Sequence, residues 1–126
     1  MVEIIEELKK LVEEHALGFA TIDASGKPHN IAVGDVKVVS KNQLIIGDVY
    51  LVETIKNIQK NNSVSLVVWN KGWEENCIGY ELQGTAEHFS EGEWVEKAKK
   101  IHEGFPVKGA IIVTLNKIKK LAVGNP

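Results

Sequence analysis

At 126 residues with 44% apolar side chains, the chain is long enough for one domain with a real core, read as spanning residues 1–126, and nothing in it reads as a linker to a second. A formal charge of -2 and a pI near 6.1 argue against general attraction to nucleic acid or anionic lipid. All fifteen basic residues are Lys, so the forked donor of Arg is missing, and any bound phosphate must be held by Lys, hydroxyls, amides and backbone N–H.

The first segment places Ile4, Ile5, Leu8, Leu11 and Val12 at helical spacing, with Glu and Lys on the opposite face. It predicts an amphipathic helix ending near His15 to Gly18. Glu3, Glu6 and Glu7 stand where a signal peptide would carry positive charge, and no apolar run approaches membrane-spanning length. The expectation is a soluble, cytoplasmic protein. From Phe19 the pattern alternates through Asp23, and "DASGK" forms a turn with Gly26 free to take positive φ. One strand is predicted from about His29 to Val39, bent at Gly34. "SKNQ" turns the chain and "LIIGD" forms a third strand, giving a three-stranded antiparallel meander.

Leu51, Ile55 and Ile58 then share a helical stripe that ends at "QKNN". "VSLVVW" is β-branched and strand-like, "NKGWEEN" a loop, and "IGYELQGTAEHF" a longer strand. Ser90 and Glu93 have capping-box spacing ahead of Trp94, Val95, Ala98 and Ile101, a helix that stops at Gly104 with Pro106 behind it. "GAIIVTL" reads as a strand buried on both faces, and "IKKLAVG" as a last edge strand or tail. The fold class expected is mainly β with flanking α: about six strands connected as hairpins in a small antiparallel barrel, with three short helices plugging its ends.

Reactive side chains are few. His15, His29, His88 and His102 sit on four different elements without metal-ligand spacing, and surface or structural roles are expected for them. No catalytic residue and no metal site is predicted. Cys77 has no partner for a disulfide or zinc pattern, which suits a reducing compartment. No P-loop, GxGxxG or GxSxG occurs. An enzyme built on this sequence would take its reactivity from a cofactor.

Four stretches in order, "ALGFATIDASGKPHNIAVGDVKVV", "LIIGDVYLVETIKNIQKNNSVSLVVW", "GYELQGTAEHF" and "KGAIIVTL", make the chain similar to the FMN-binding split barrels related to pyridoxamine 5'-phosphate oxidase, and most similar to the small stand-alone FMN-binding proteins among them. The resemblance covers nearly everything after the first helix. It implies a six-stranded split barrel of Greek-key type, a homodimer, and FMN in a groove at the subunit interface. Under it the strand around His29 to Asp35, with His29, Asn30, Ile31, Ala32 and Val33 as its named contacts, runs along the ring, while the segment from Gly47 through Asp48 and Val49 lies near the ribityl phosphate. The homodimer is also expected because "AIIVTL", Trp69 and Trp94 exceed what so small a barrel can cover alone.

The family's phosphate segment reads Lys-Thr followed by Asn and an aliphatic residue. Thr54, Asn57 and Ile58 match it, and Glu53 departs from it. A helix start favours an anion through its free N–H groups and dipole, so the resemblance implies phosphate contacts from Thr54 and Asn57, with Lys56 as the nearby cation. Taken alone, "ETIKN" reads as an ordinary capped helix whose Glu53 can satisfy the dipole by itself, and the resemblance is what favours phosphate binding. The full-length oxidases hold a pyridoxine phosphate with an Arg and a His near the C-terminus, and the lack of Arg argues against that reaction here. What the resemblance implies is electron or hydride transfer between FMN and an unidentified redox partner or small-molecule substrate, with no nucleic-acid or membrane partner. Rival readings are a deazaflavin or haem in the same groove, or a cofactor-free barrel that binds a small ligand or a protein.

Overall fold

The computed structural model describes residues 2–121. Its elements run α1 (Glu6–Glu14), β1 (Leu17–Ile22), β2 (Pro28–Val33), β3 (Lys37–Ser40), β4 (Gln43–Asp48), α2 (Val52–Lys60), β5 (Ser63–Trp69), β6 (Gly79–Phe89), α3 (Glu93–Ile101) and β7 (Gly109–Leu121). No helix among the described residues is long and apolar enough to cross a membrane.

The strands form one antiparallel sheet of seven in the order β2-β1-β5-β6-β7-β4-β3. The two edge strands, β2 and β3, are consecutive in the chain. Val33 and Lys37 are four Cα steps apart, at most about 14 Å, so the sheet must curl until its edges nearly meet. That is a barrel left open along one seam.

Four expectations are corrected here. The strand predicted from His29 to Val39 is two strands, which makes seven rather than six. The chain breaks pairing at Gly34, Asp35 and Val36, and Asp35 takes a left-handed φ of 51°. The predicted three-stranded meander is absent as well, because β2 pairs with β1 while β3 pairs with β4 at the far edge. The capping box also does not form: α3 begins at Glu93 itself, after Gly92 at φ 102°, with no side-chain cap. Glu93 is one position into the helix, too early to reach back as the spacing required. The "GAIIVTL" and "IKK" segments join into one long strand; residues 122–124 of the predicted tail lie outside the described residues.

Two apolar clusters lie on the two faces of β4 and β7. Leu44, Ile46, Ile111, Val113 and Leu115 face the barrel interior with Phe19, Leu66, Val68 and Leu82, and Leu8, Leu11 and Val12 of α1 close it. Ile45, Ala110 and Ile112 face outward, where Val95 and Ala98 of α3 cover them. The near-continuous apolar run of β7 is therefore explained within one chain, without a second copy. Each fully buried aliphatic side chain contributes roughly 1.5–3 kcal/mol. At Gly84, where the β6–β7 register shifts, an added Cβ would lie 2.0 Å from the Thr114 carbonyl oxygen. A glycine there lets the long strands coil closely past each other.

Candidate functional site

Three chain segments converge outside the open seam. β4 pairs with β7 as far as Gly47↔Ala110 and Asp48↔Gly109, and α3 lies over the outer face of both strands. His102, the residue after the last turn of α3, is thereby set on Gly47: a Cβ added at Gly47 would stand 2.4 Å from His102 Cδ2 and 2.5 Å from Nε2. Only glycine leaves room for the ring. Nδ1 of the same imidazole is 4.0 Å from Asp35 Oδ2, beyond hydrogen-bond reach but close enough for electrostatic attraction. Nε2 is buried, with no hydrogen-bond partner among the described residues.

Asp48 fixes the turn that follows. Its carboxylate accepts the Leu51 N–H at 3.2 Å and lies 3.3 Å from His88 Nε2, while its carbonyl accepts the Lys108 N–H at 2.9 Å. Between those anchors Tyr50 is held at φ 63°, a conformation that non-glycine residues rarely adopt. The two left-handed non-glycine residues among those described, Asp35 and Tyr50, thus flank the same place.

Ala32, Val33, Gly34 and Asp35 from the end of β2, Ile46, Gly47, Val49 and Leu51 from the β4–α2 turn, and His102 and Phe105 beyond α3 enclose a cavity of about 240 Å³. Phe105 in its lining is 63% exposed, and Tyr50 and Val52, chain neighbours of the lining residues Val49 and Leu51, are 67% and 61% exposed. Lys108 Nζ stands 5.1 Å from the Tyr50 ring centroid. A larger, more polar groove of about 820 Å³ lies elsewhere, between the end of α2, β6 and Trp94. It lacks every sequence-predicted site residue, so the smaller cavity is the better candidate.

Among the predicted residues, Ala32, Val33, Gly47 and Val49 line this cavity, and Asp48 organises its floor. His29, Asn30 and Ile31 lie farther back on β2, with His29 and Ile31 half-buried and Asn30 exposed. Lys56 is exposed on α2. Thr54 and Asn57 face inward: Thr54 is 1% exposed, Asn57 is 6% exposed, and Asn57 Nδ2 donates to Thr21 Oγ1 on β1. None of Thr54, Lys56 and Asn57 lines the cavity, although Leu51, which precedes the first turn of α2, does. Sequence reasoning missed His102, Phe105 and Lys108, and the only local signal was their place just beyond a helix end.

The family model described as pyridoxamine 5'-phosphate oxidase matches residues 4–120. The chain belongs to the pyridoxamine 5'-phosphate oxidase family. An uncharacterised relative from Methanocaldococcus jannaschii is 30% identical over 132 residues, covering 98% of this chain and 85% of that protein. The crystal structure of HupZ from Group A Streptococcus is 28% identical, covers 96% of both chains and superposes with a TM-score of 0.87. An FMN-binding protein from Syntrophomonas wolfei shares the fold at 15% identity and a TM-score of 0.84, covering 97% of this chain and 88% of its own. This chain thus shares its fold with these solved structures, while the histidine over Gly47 is read from its own geometry.

Proposed function

We propose that this chain is a homodimeric flavoprotein that binds FMN at the cavity between β2, the β4–α2 turn and His102, and exchanges electrons or hydride with a partner or small substrate. The observation that carries the reading is the convergence on one cavity of two separate segments, Ala32 with Val33 and Gly47 with Val49, that the family resemblance assigned to the ring and to the ribityl phosphate of one cofactor. Membership of the family and the likeness in fold to an FMN-binding protein support it.

The residues suit a flat ring. Ala32, Gly34 and Gly47 leave a shallow wall, Val33, Ile46 and Leu51 give apolar contact, and the buried His102 Nε2 offers a polar atom to a ring edge. At about 240 Å³ the cavity is smaller than the ~300–1,000 Å³ usual for such ligands. A second copy seated over Tyr50, Val52 and Phe105 would complete it and cover that apolar rim. The phosphate would lie at the start of α2, where no side chain caps the first-turn N–H groups. There the Thr54 backbone N–H, Lys56 and Lys108 would face it, while the Thr54 and Asn57 side chains hold the helix in place. Bound FMN would supply the redox chemistry; the chain binds it, orients it and shields one side from water.

The absorption spectrum of the purified protein, with mass identification of any compound released on denaturation, tests this reading. A yellow protein releasing FMN supports it. A colourless protein that takes up no added FMN, or one that releases a deazaflavin or haem, overturns it.

A further inference from the structure

We infer that His102 is the residue that positions the polar edge of the ring bound in this cavity, an inference that rests on the flavin reading above. Four observations meet at this side chain. Its Nε2 is buried and has no partner among the described residues, an arrangement that costs free energy unless a bound group satisfies it. The side chain is part of the cavity wall, and because Nε2 itself is covered where the imidazole lies on Gly47, a ring that meets it must shift the imidazole. Its ring lies against Gly47, where any larger residue would displace it. Asp35, beside Nδ1, is held in a left-handed conformation at the point where β2 leaves the sheet.

At 4.0 Å the Asp35 carboxylate makes no hydrogen bond to Nδ1, but its negative charge attracts an N–H on that side of the ring and so favours the tautomer that carries its proton on Nδ1. Nε2 then presents a lone pair and accepts a hydrogen bond from an N–H on the edge of a heteroaromatic ring. The isoalloxazine of a flavin has such an edge, with an N–H set between two carbonyls. A partner at this edge fixes how deep the ring sits and which way it faces. The contact is to the ring and not to the phosphate, so it serves FMN and riboflavin alike.

Titration of FMN and of riboflavin by flavin fluorescence, with wild type, His102→Leu and His102→Gln, tests the assignment. His102→Leu should weaken both flavins by the same factor, about tenfold for one lost hydrogen bond. His102→Gln, whose amide reaches a similar position, should recover most of that loss. Gly47→Ala provides a second route if His102→Leu does not fold: its methyl displaces the imidazole, so it should weaken both flavins more with His102 present than in His102→Ala. In the wild type, the Nε2 nitrogen resonance should shift on adding riboflavin. Wild-type affinity for both flavins in His102→Leu, or an Nε2 resonance that stays in place while riboflavin binds, would overturn the assignment and leave the flavin reading standing. A wild type that binds neither flavin would overturn both.

Discussion

Asn57 of α2 donates its Nδ2 hydrogen to Thr21 Oγ1 of β1 across 2.9 Å, and both side chains are buried. The bond ties the helix that opens beside the cavity to a central strand. Asn57→Ala leaves a buried hydroxyl without that partner and should cost roughly 1–3 kcal/mol in urea unfolding. Thr21→Val combined with Asn57→Ala removes both polar groups and should cost less than the sum of the losses of these two single variants. Additive losses would mean that the two residues are not coupled.

Tyr80 donates its hydroxyl hydrogen to Glu7, which also receives Lys120 Nζ at 2.9 Å, tying α1 to β6 and β7. Burial, followed by the neighbouring carboxylate, raises the Tyr80 pKa to about 12 from its usual 10, while the Tyr80 and Lys120 hydrogen bonds lower that of Glu7. The folded state therefore holds the Tyr80 proton more tightly than the unfolded chain does. This stabilisation is complete below pH 10 and fades as pH rises toward 12. For Glu7 the sign is opposite: the stabilisation is present above its usual 4.5 and is lost as pH falls through the lowered folded value. The phenolate absorbance of wild type minus that of Tyr80→Phe should have its midpoint near 12. A midpoint at 10 would show that the hydroxyl is free.

Gly84→Ala should destabilise by about 1–3 kcal/mol or more, because the new methyl meets the backbone of Thr114 and cannot be relieved by turning a side chain. Thermal unfolding at unchanged ligand concentration measures it, and an unchanged midpoint would mean that the β6–β7 crossing is looser than described.

The helices were legible in the sequence because each buries a stripe at helical spacing, such as Leu8, Leu11 and Val12, or Val95 and Ala98. β7 was legible because a continuous apolar run needs cover on both faces, which the barrel interior and α3 provide. The break between β2 and β3 was not. Val33, Val36 and Val38 carry apolar character straight across Gly34, and a glycine in a strand signals a bulge as readily as an end. Only curling of the whole sheet sends the two halves to opposite edges. The segments on either side of the cavity could be assigned from the family resemblance, whereas His102 could not: its position depends on how α3 packs on β4, which no local pattern encodes. The inward turn of Thr54 and Asn57 was readable in principle, since with Ile58 they repeat at i, i+3 and i+4 on the buried stripe of α2.

Glu53 lies exposed in the first turn of α2. If the FMN phosphate sits there, Glu53→Lys removes a repulsive charge and adds an attractive one. FMN should tighten by roughly 1 kcal/mol, with the gain shrinking as salt rises. Riboflavin should barely respond. Equal responses from both flavins, read by fluorescence titration at low and high salt, would place the phosphate elsewhere.

The location of the flavin is decided most directly by amide chemical-shift mapping of the isotope-labelled protein titrated with FMN. The cavity between β2, β4 and α3 predicts that the largest shifts fall on Gly34, Asp35, Gly47, Val49, His102 and Phe105. Shifts confined instead to the groove of Asn61, Thr85, His88 and Trp94, or no shift at saturating FMN, would contradict the assignment.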